Sequence, residues 1–483
     1  MKGATGTFYL TFAALASLVM SVLALQHVTP GPLTGDSHQN VRIAYHLIHT
    51  GIWGYDNVET PNPRPQFKRE PLPILAPAAL MLFDPAFEAQ FSIRDVTEGH
   101  LAARIKRVNA FWVFLASFAI FLLTAELFGT PVKSVLLSLI LILISAYVLF
   151  LPSMAVMETE VPATFFLLIA TWLGIRFTRD RNVHNAVLLG VALGLLCLVK
   201  AAFLFIGLAY IGLLFLLQAP ISGAVGRFSR QNLICYGLIG GALIATVAPW
   251  IVRNAITFHQ PVITSRGGDV FAFRALLTEH SLEEWLYDFS PNNVRPAIAA
   301  LFGLSVDGLE TDSRYDQLKR KRWDVHYKKK LDKAGIKLSK RHAEAWLALR
   351  AVKYYTQHPF RYAASSLLFA YRGIWLVRPP DISKPARAAV RMAVTIINAA
   401  AFLAFVSLFA YALLRRNPVL SAFTGIAIGS FLFYSLFTHN ITRYSEPLLP
   451  FMFLSMVWWA NSIIVRLRNS SWSRSNSPAP AAK

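Results

Sequence analysis

The ionisable side chains of this sequence stand in short polar islands between apolar runs. Asp36 lies in "GDSHQN", Lys68, Arg69 and Glu70 in "FKRE", and Glu158 and Glu160 in "METE". Lys200 interrupts "CLVKAAF", Arg253 sits in "PWIVRN", and His439, Arg443, Tyr444 and Glu446 share "HNITRYSEP". Such carboxylates can take a proton from a hydroxyl. Such cations can hold a phosphate, Arg bidentately and Lys as a point charge. Plainer readings stand beside these. Asp36 could N-cap a helix beginning near Ser37. Lys68, Arg69, Lys200, Arg253 and Arg443 could be interfacial residues that snorkel. His439 could carry a proton, donate to a phosphate, or be a satisfied interfacial histidine. Trp53, Tyr55 and Trp250 could stack on a sugar or belong to an aromatic belt. Two residues of one helix that are two apart cannot face the same way, so of Glu158 and Glu160 the second is expected to point inward. No His, Asp or Glu grouping has metal-ligand spacing, and no Gly-rich loop opens a nucleotide-binding unit. Neither a metal nor a nucleotide cofactor is expected.

The elements that must position these groups are membrane helices. The chain has 483 residues, 55% hydrophobic and only 15% charged, against about a quarter charged in a soluble domain. A span needs about 20 apolar residues. Candidate spans are 7–25, 108–128, 133–151, 161–177, 186–200, 202–218, 232–250, 390–414, 418–437 and 447–465, where the apolar run 186–218 is split into two short helices at Lys200. With a cytoplasmic N-terminus, the inside loops receive Lys133, Arg176, Arg179, Arg181, Arg227, Arg230, Arg415, Arg416, Arg466 and Arg468. That is the basic bias cytoplasmic loops show. The same threading sends Asp36, Lys68, Arg69, Glu70, Glu158, Glu160, Lys200, Arg253, His439, Arg443 and Glu446 to the outer ends of the spans. Charges near the membrane plane are costly and point to function. The net charge of +21 is spread between spans, which fits topology signal and lipid headgroups better than nucleic acid. Cys197 and Cys235 lie in apolar runs and offer no disulfide framework.

The polar loops carry their own patterns. "VRIAYHLIHTG" has helical apolar spacing and ends in Gly51, so it predicts an amphipathic helix with a glycine C-cap. "PLPILAPAALMLF" predicts a second helix shorter than a span. The Lys/Arg-rich stretch around 319–343 reads as a solvated or headgroup-facing surface. The run 364–380 reads as an interfacial helix rather than an eleventh span. The domain plan is therefore a transmembrane module at 1–250 that includes outer loop 26–107, an outer-face segment at 251–389, C-terminal spans at 390–465, and a disordered cytoplasmic tail at 466–483.

Six stretches, in order over roughly residues 35–450, give the sequence its resemblance. They are "GDSHQN", "FKREPLPILAPAAL", "METEVPATFFLLIATWL", "LLGVALGLLCLVKAAFL", "APWIVRNAITFHQPVITSRGGDVF" and "HNITRYSEPLLP". Together they resemble the motifs of GT-C integral-membrane glycosyltransferases, in particular the protein O-mannosyltransferase and aminoarabinose-transferase-like branch. The sequence departs from the pattern at one place. Many relatives have an acidic pair in the first loop, whereas here Asp36 is followed by Ser37.

The resemblance implies an all-α polytopic protein of about ten to eleven transmembrane helices. It implies transfer of a sugar from a polyprenyl-phosphate donor to a lipid, glycan or protein acceptor on the outer face of the membrane, with inversion. Asp36 would be the general base, with Glu158 and Glu160 as further catalytic carboxylates that orient the acceptor or pair with a cation. Lys68, Arg69, Lys200, Arg253 and Arg443 would bind the donor phosphate, with His439 and Tyr444 in the pocket. The expected location is a bacterial inner membrane, with the site facing the periplasm and membrane lipids around it. A lipid-linked-glycan transporter is the alternative. A transporter, however, more often places its charges at the bilayer midplane in interrupted helices.

Overall fold

The structure, a computed structural model, describes residues 4–217 apart from 57, 88–90 and 130. It also describes 229–267, scattered positions within 270–303, 340–374, and 385–475 apart from 439 and 441. Among these residues the fold is helical, and the single β-type contact is an isolated antiparallel bridge between Gly54 and Pro65.

Each predicted span coincides with a helix. In chain order these are α1 (Ala4–Leu25), then α2 (Gly35–Thr50) and α3 (Leu72–Phe83) in the outer loop. The short α4 (Ile93–Thr97) and α5 (His100–Lys106) lead into α6 (Val108–Phe128). Next come α7 (Pro131–Ser145), a π turn over Ala146–Phe150, and α8 (Leu151–Val156). They are followed by α9 (Glu160–Arg179), α10 (Val183–Val199), α11 (Phe203–Leu217) and α12 (Arg230–Phe258). The C-terminal part contributes α13 (Lys340–Gln357), α14 (Pro359–Ile374), α15 (Pro385–Leu414), α16 (Pro418–Phe437), α17 (Thr442–Ser445) and α18 (Leu449–Ser475). By length and composition, eight helices among the described residues can cross a membrane. α10 and α11 are shorter and meet at Lys200, whose extended backbone breaks the run as its charge predicted.

Several boundaries differ from the sequence plan. α12 runs through 250 to Phe258 and α18 runs through 465 to Ser475, because both helices carry polar residues on past the apolar stretch. The tail expected to be disordered from 466 thus begins as helix. α14 has 16 residues and is not among the helices long enough to span. The basic stretch around 319–339 lies outside the described residues.

Two apolar cores form. The larger fills the bundle, with Phe121, Phe150, Leu167, Leu193, Leu243, Phe423 and Phe451 wholly buried or nearly so. α10 and α12 approach closely through small residues. A Cβ added to Gly190 would fall 2.4 Å from the Ile239 carbonyl, and one added to Gly194 would fall 2.5 Å from Thr246 Cβ. This is the small-xxx-small spacing that lets membrane helices touch backbone to backbone.

The second core belongs to the outer loop. Val41, Ile43, Ala44 and Tyr45 of α2 pack with Ile74, Ala78 and Met81 of α3, Val96 of α4 and Ile105 of α5. Met157, from the turn between α8 and α9, joins this core and fastens it to the bundle. The loop is therefore a packed cap with its own interior. α2 ends as expected at Gly51, in the left-handed conformation at φ 69.

Candidate active site

The cap sets the geometry of Asp36. The N-cap of α2 is Thr34, so Asp36 lies inside the first turn and does not cap the helix, which corrects the capping expectation. Its carboxylate is free to point sideways, and Arg69 Nη2 donates to Oδ1 at 2.5 Å. Gln39 stands three residues further on the same helix face. Its Oε1 accepts from Arg69 Nε at 3.0 Å and from Nη2 at 2.7 Å. Arg69 is thereby held with only 4% of its surface exposed.

The stretch leading to Arg69 is itself clamped. Tyr55 N–H donates to the Arg64 carbonyl at 2.9 Å and Gln66 N–H to the Trp53 carbonyl at 3.1 Å, closing a narrow hairpin. Arg253, near the end of α12, donates to the Gln66 carbonyl at 3.0 Å and to the Trp53 carbonyl at 3.3 Å. Its guanidinium also lies over the Trp250 ring at 4.8 Å. The structure thus places Arg253 as a clip between the cap and α12. Trp53 and Trp250 meet edge to face at 4.6 Å, and the Trp250 ring N–H donates to the Ile263 carbonyl at 2.8 Å. Ser265 N–H reaches the Phe67 carbonyl at 3.2 Å, and the next residue, Arg266, brings Nη2 to 3.7 Å from Asp36 Oδ1.

Arg443, beside the start of α18, gathers the carboxylates. Its Nη1 donates to Glu158 Oε1 at 2.9 Å, and its Nη2 lies 3.6 Å from Asp36 Oδ2. Its Nε lies 3.2 Å from Glu160 Oε1, a charge contact in which the N–H is not aimed at the oxygen. Both glutamates therefore face one cation. The sequence expectation excluded this by placing both on a helix. Glu158 precedes the helix, which begins at Glu160, so the two-residue rule does not apply to the pair. Glu160 is fully buried, and Lys200 Nζ donates to its Oε1 at 2.9 Å. That contact explains why the helix pair breaks at Lys200. The extended backbone there turns the ammonium onto α9, and the freed N–H of Ala201 donates to Glu70 Oε1 at 3.3 Å. Lys200 also faces the Tyr444 ring at 5.2 Å, and Tyr444 packs on Tyr434 with ring centroids 4.8 Å apart.

The structure thus gathers Asp36, Glu158, Glu160, Arg69, Lys200 and Arg443 into one cluster, with Tyr444 against it. It adds Arg266 and Gln39, which sequence reasoning missed. "TSRGG" marks a turn, but nothing in the sequence says that the turn folds back over residue 36. Lys68 lies on the exposed side of the "FKRE" stretch. His439 lies outside the described residues. Among those described, no group of three or more His, Cys, Asp or Glu is arranged to hold a metal ion.

Within this ion-paired cluster Arg69, Lys200, Arg266 and Arg443 outnumber Asp36, Glu158 and Glu160 by one. Three of these cations are guanidinium groups around a single carboxylate, and Glu70 stands beside Lys200 on the Ala201 N–H. Burial alone would raise the pKa of Asp36. The hydrogen bond and charge of Arg69, with the charges of Arg266 and Arg443, outweigh burial and hold the carboxyl well below its usual range. Glu158 moves the other way. Burial and the neighbouring Glu160 push it up, against the pull of Arg443 and Lys200. Two carboxylates of one cluster are thus driven apart in acidity, which is how active sites assign different roles to like groups.

Neither a family model nor a curated protein matches this chain. Solved structures do. The archaeal oligosaccharyltransferase AglB from Archaeoglobus fulgidus, in complex with an inhibitory peptide and a dolichol-phosphate, aligns with 99% of this chain and 53% of its own, at 14% identity and a TM-score of 0.50. The apo form of the Archaeoglobus fulgidus oligosaccharyltransferase aligns with 96% of this chain and 52% of its own, at 16% identity and a TM-score of 0.48. ArnT from Cupriavidus metallidurans, bound to undecaprenyl phosphate, aligns with 94% of this chain and 79% of its own, at 14% identity and a TM-score of 0.37. The chain spans about half the length of the oligosaccharyltransferases it matches. At such identities the likeness is one of architecture: the helix bundle described above shares its fold with the transmembrane part of the archaeal oligosaccharyltransferase.

Proposed function

We propose that this chain is an integral-membrane glycosyltransferase that moves a sugar from a polyprenyl-phosphate donor to a lipid, glycan or protein acceptor, with inversion. The observation that carries the reading is the ionic cluster. An ionised carboxylate lies within 3.7 Å of three guanidinium groups, where the ends of spanning helices meet a packed cap. Guanidinium groups match the planar geometry of phosphate oxygens. An amphiphilic donor at such a place keeps its prenyl chain in the bilayer while its phosphate meets the cations.

In this reaction the acceptor oxygen attacks the anomeric carbon and its proton passes to Asp36. The bond between that carbon and the phosphate oxygen breaks, and the lipid phosphate leaves with the electron pair. One displacement needs one base and no nucleophile, which is why inversion follows from a single carboxylate. The depressed basicity of Asp36 fits this sequence of events. While the arginines face only carboxylates, Asp36 is a weak base. As charge gathers on the leaving phosphate, Arg69, Arg266 and Arg443 turn their attraction toward it, and Asp36 regains basicity when the acceptor must lose its proton. Glu160, itself paired with Lys200, and the Tyr444 ring hold Arg443 from behind. We assign the protein to a bacterial inner membrane with the cap on the periplasmic side, in line with the basic loops at the opposite ends of the spans.

The test is turnover of radiolabelled polyprenyl-phosphate sugars by the purified protein in detergent. Asp36→Asn should lower it by about 100-fold or more, while the protein stays folded and still binds polyprenyl phosphate. Full activity in Asp36→Asn would remove this carboxylate from the mechanism. Movement of the intact lipid-linked sugar across vesicles, with no bond cleaved, would make the protein a transporter.

A further inference from the structure

The residue that breaks the acidic-pair pattern has a definite place. Ser37 is buried, and its hydroxyl lies 2.9 Å from the Val156 carbonyl and 3.0 Å from the Met157 carbonyl. One hydroxyl proton is shared between two acceptors. Those carbonyls belong to the turn that presents Glu158. The turn is not relaxed, for Met157 sits in the left-handed region at φ 31, ψ 52 without being glycine. That conformation costs on the order of 1 kcal/mol or more and persists only where its surroundings fix it. The surroundings are visible. Met157 N–H donates to the Ser153 carbonyl at 3.0 Å, and Asn109 Nδ2 donates to the same carbonyl at 2.5 Å. The Met157 side chain is sunk in the core of the cap. Ser37 supplies the tie that comes from the helix of Asp36.

We propose that Ser37 is a positioning residue, whose hydroxyl fixes the turn over Met157–Thr159 against α2 and so sets Glu158 and Asp36 at the separation that lets Arg443 face both. This rests on the transferase reading above. The Ser37 hydroxyl is spent on the Val156 and Met157 carbonyls, and its effect passes through Glu158. A consequence follows for the acid that many relatives carry at this place. A carboxylate at 37 would meet two carbonyl oxygens with no proton to offer them, so a second acid cannot be restored here. A reading based on resemblance alone expects that change to be neutral or helpful.

A double-mutant cycle in the full-length protein tests the proposal, with turnover of a radiolabelled polyprenyl-phosphate sugar as the readout. The wild type is measured first, and its failure to turn over any such donor would count against the transferase reading. Given an active wild type, Ser37→Ala should lower kcat by about fivefold to tenfold, the size of one lost buried hydrogen bond. Donor KM and the melting temperature should be nearly unchanged. In a Glu158→Gln background the same change should have little further effect. Ser37→Thr, which keeps the hydroxyl, should retain most of the activity, and Ser37→Asp should fall below Ser37→Ala. Size-exclusion behaviour and retention of undecaprenyl phosphate confirm folding of each variant. Unchanged turnover in Ser37→Ala, effects that multiply independently in the double variant, or a Ser37→Asp as active as wild type would each overturn the proposal.

Discussion

Asp36 and Glu158 share Arg443 yet are pushed in opposite directions by their surroundings. For Asp36 the folded-state pKa is depressed. Its contribution to stability is complete above the ordinary carboxylate range and is lost only as the pH falls through the lowered folded value. For Glu158 the folded value is raised. The folded protein then binds its proton more tightly than the unfolded chain, so this group removes stability as the pH climbs from the ordinary range through the raised value. Activity has its own sign. Protonated Glu158 no longer pairs with Arg443, so turnover should rise with pH as Glu158 ionises. We expect the acid limb of the kcat/KM profile to lie above the ordinary glutamate pKa of about 4.3 and to be abolished in Glu158→Gln. A limb unchanged in that variant would assign it to another group.

Among the elements, the broken pair α10 and α11 links packing to chemistry. The break at Lys200 serves the site, while Gly190 and Gly194 on the same helix hold α10 against α12. A side chain at 190 cannot be absorbed by a rotamer change, because what it meets is the Ile239 carbonyl. Gly190→Val should therefore force the two helices apart at a cost of about 1–3 kcal/mol, as overpacked cores show. Thermal unfolding in detergent checks the loss. Turnover should fall with it, since α12 also carries Arg253. Gly212, where an added Cβ meets nothing within 4 Å, is the control, and Gly212→Ala should leave both quantities nearly as they are.

At the scale of the whole molecule, the cap and the bundle are two cores joined at a few points. Met157 joins them from the bundle side, and Arg253 clips the Trp53–Gln66 hairpin to α12. Arg253 is a phosphate candidate by sequence, and in the structure its Nη1 and Nη2 donate to the Gln66 and Trp53 carbonyls and Nη1 also to Asn254 Oδ1 at 2.8 Å. Arg253→Met should loosen the cap while keeping affinity for undecaprenyl phosphate within about threefold, because one lost clip is worth about 1–2 kcal/mol to the loop and nothing to the ligand. Limited proteolysis within 53–67, compared with the wild type, measures the loosening. A large loss of lipid-phosphate affinity with unchanged proteolysis would return Arg253 to the phosphate site.

The amino-acid sequence alone makes the bundle legible. Apolar length places the helices, Lys200 in an apolar run marks the break, and Gly51 marks the end of α2, because each of these signals is local. It also brought Asp36, Glu158, Glu160, Arg69, Lys200 and Arg443 to one end of the spans, since alternating spans leave only two ends to choose between. Which of these groups touch depends on long-range packing. Arg69 reaches Asp36 because a hairpin is clipped to α12, and Arg266 joins them because its turn folds back over the cap. Glu158 shares Arg443 with Glu160 because it lies just outside a helix whose start could not be read to within two residues. Ser37 could be read only as a missing acid. In the fold it is a hydroxyl facing two carbonyls, a contact between residues 119 and 120 positions apart, which no local pattern encodes.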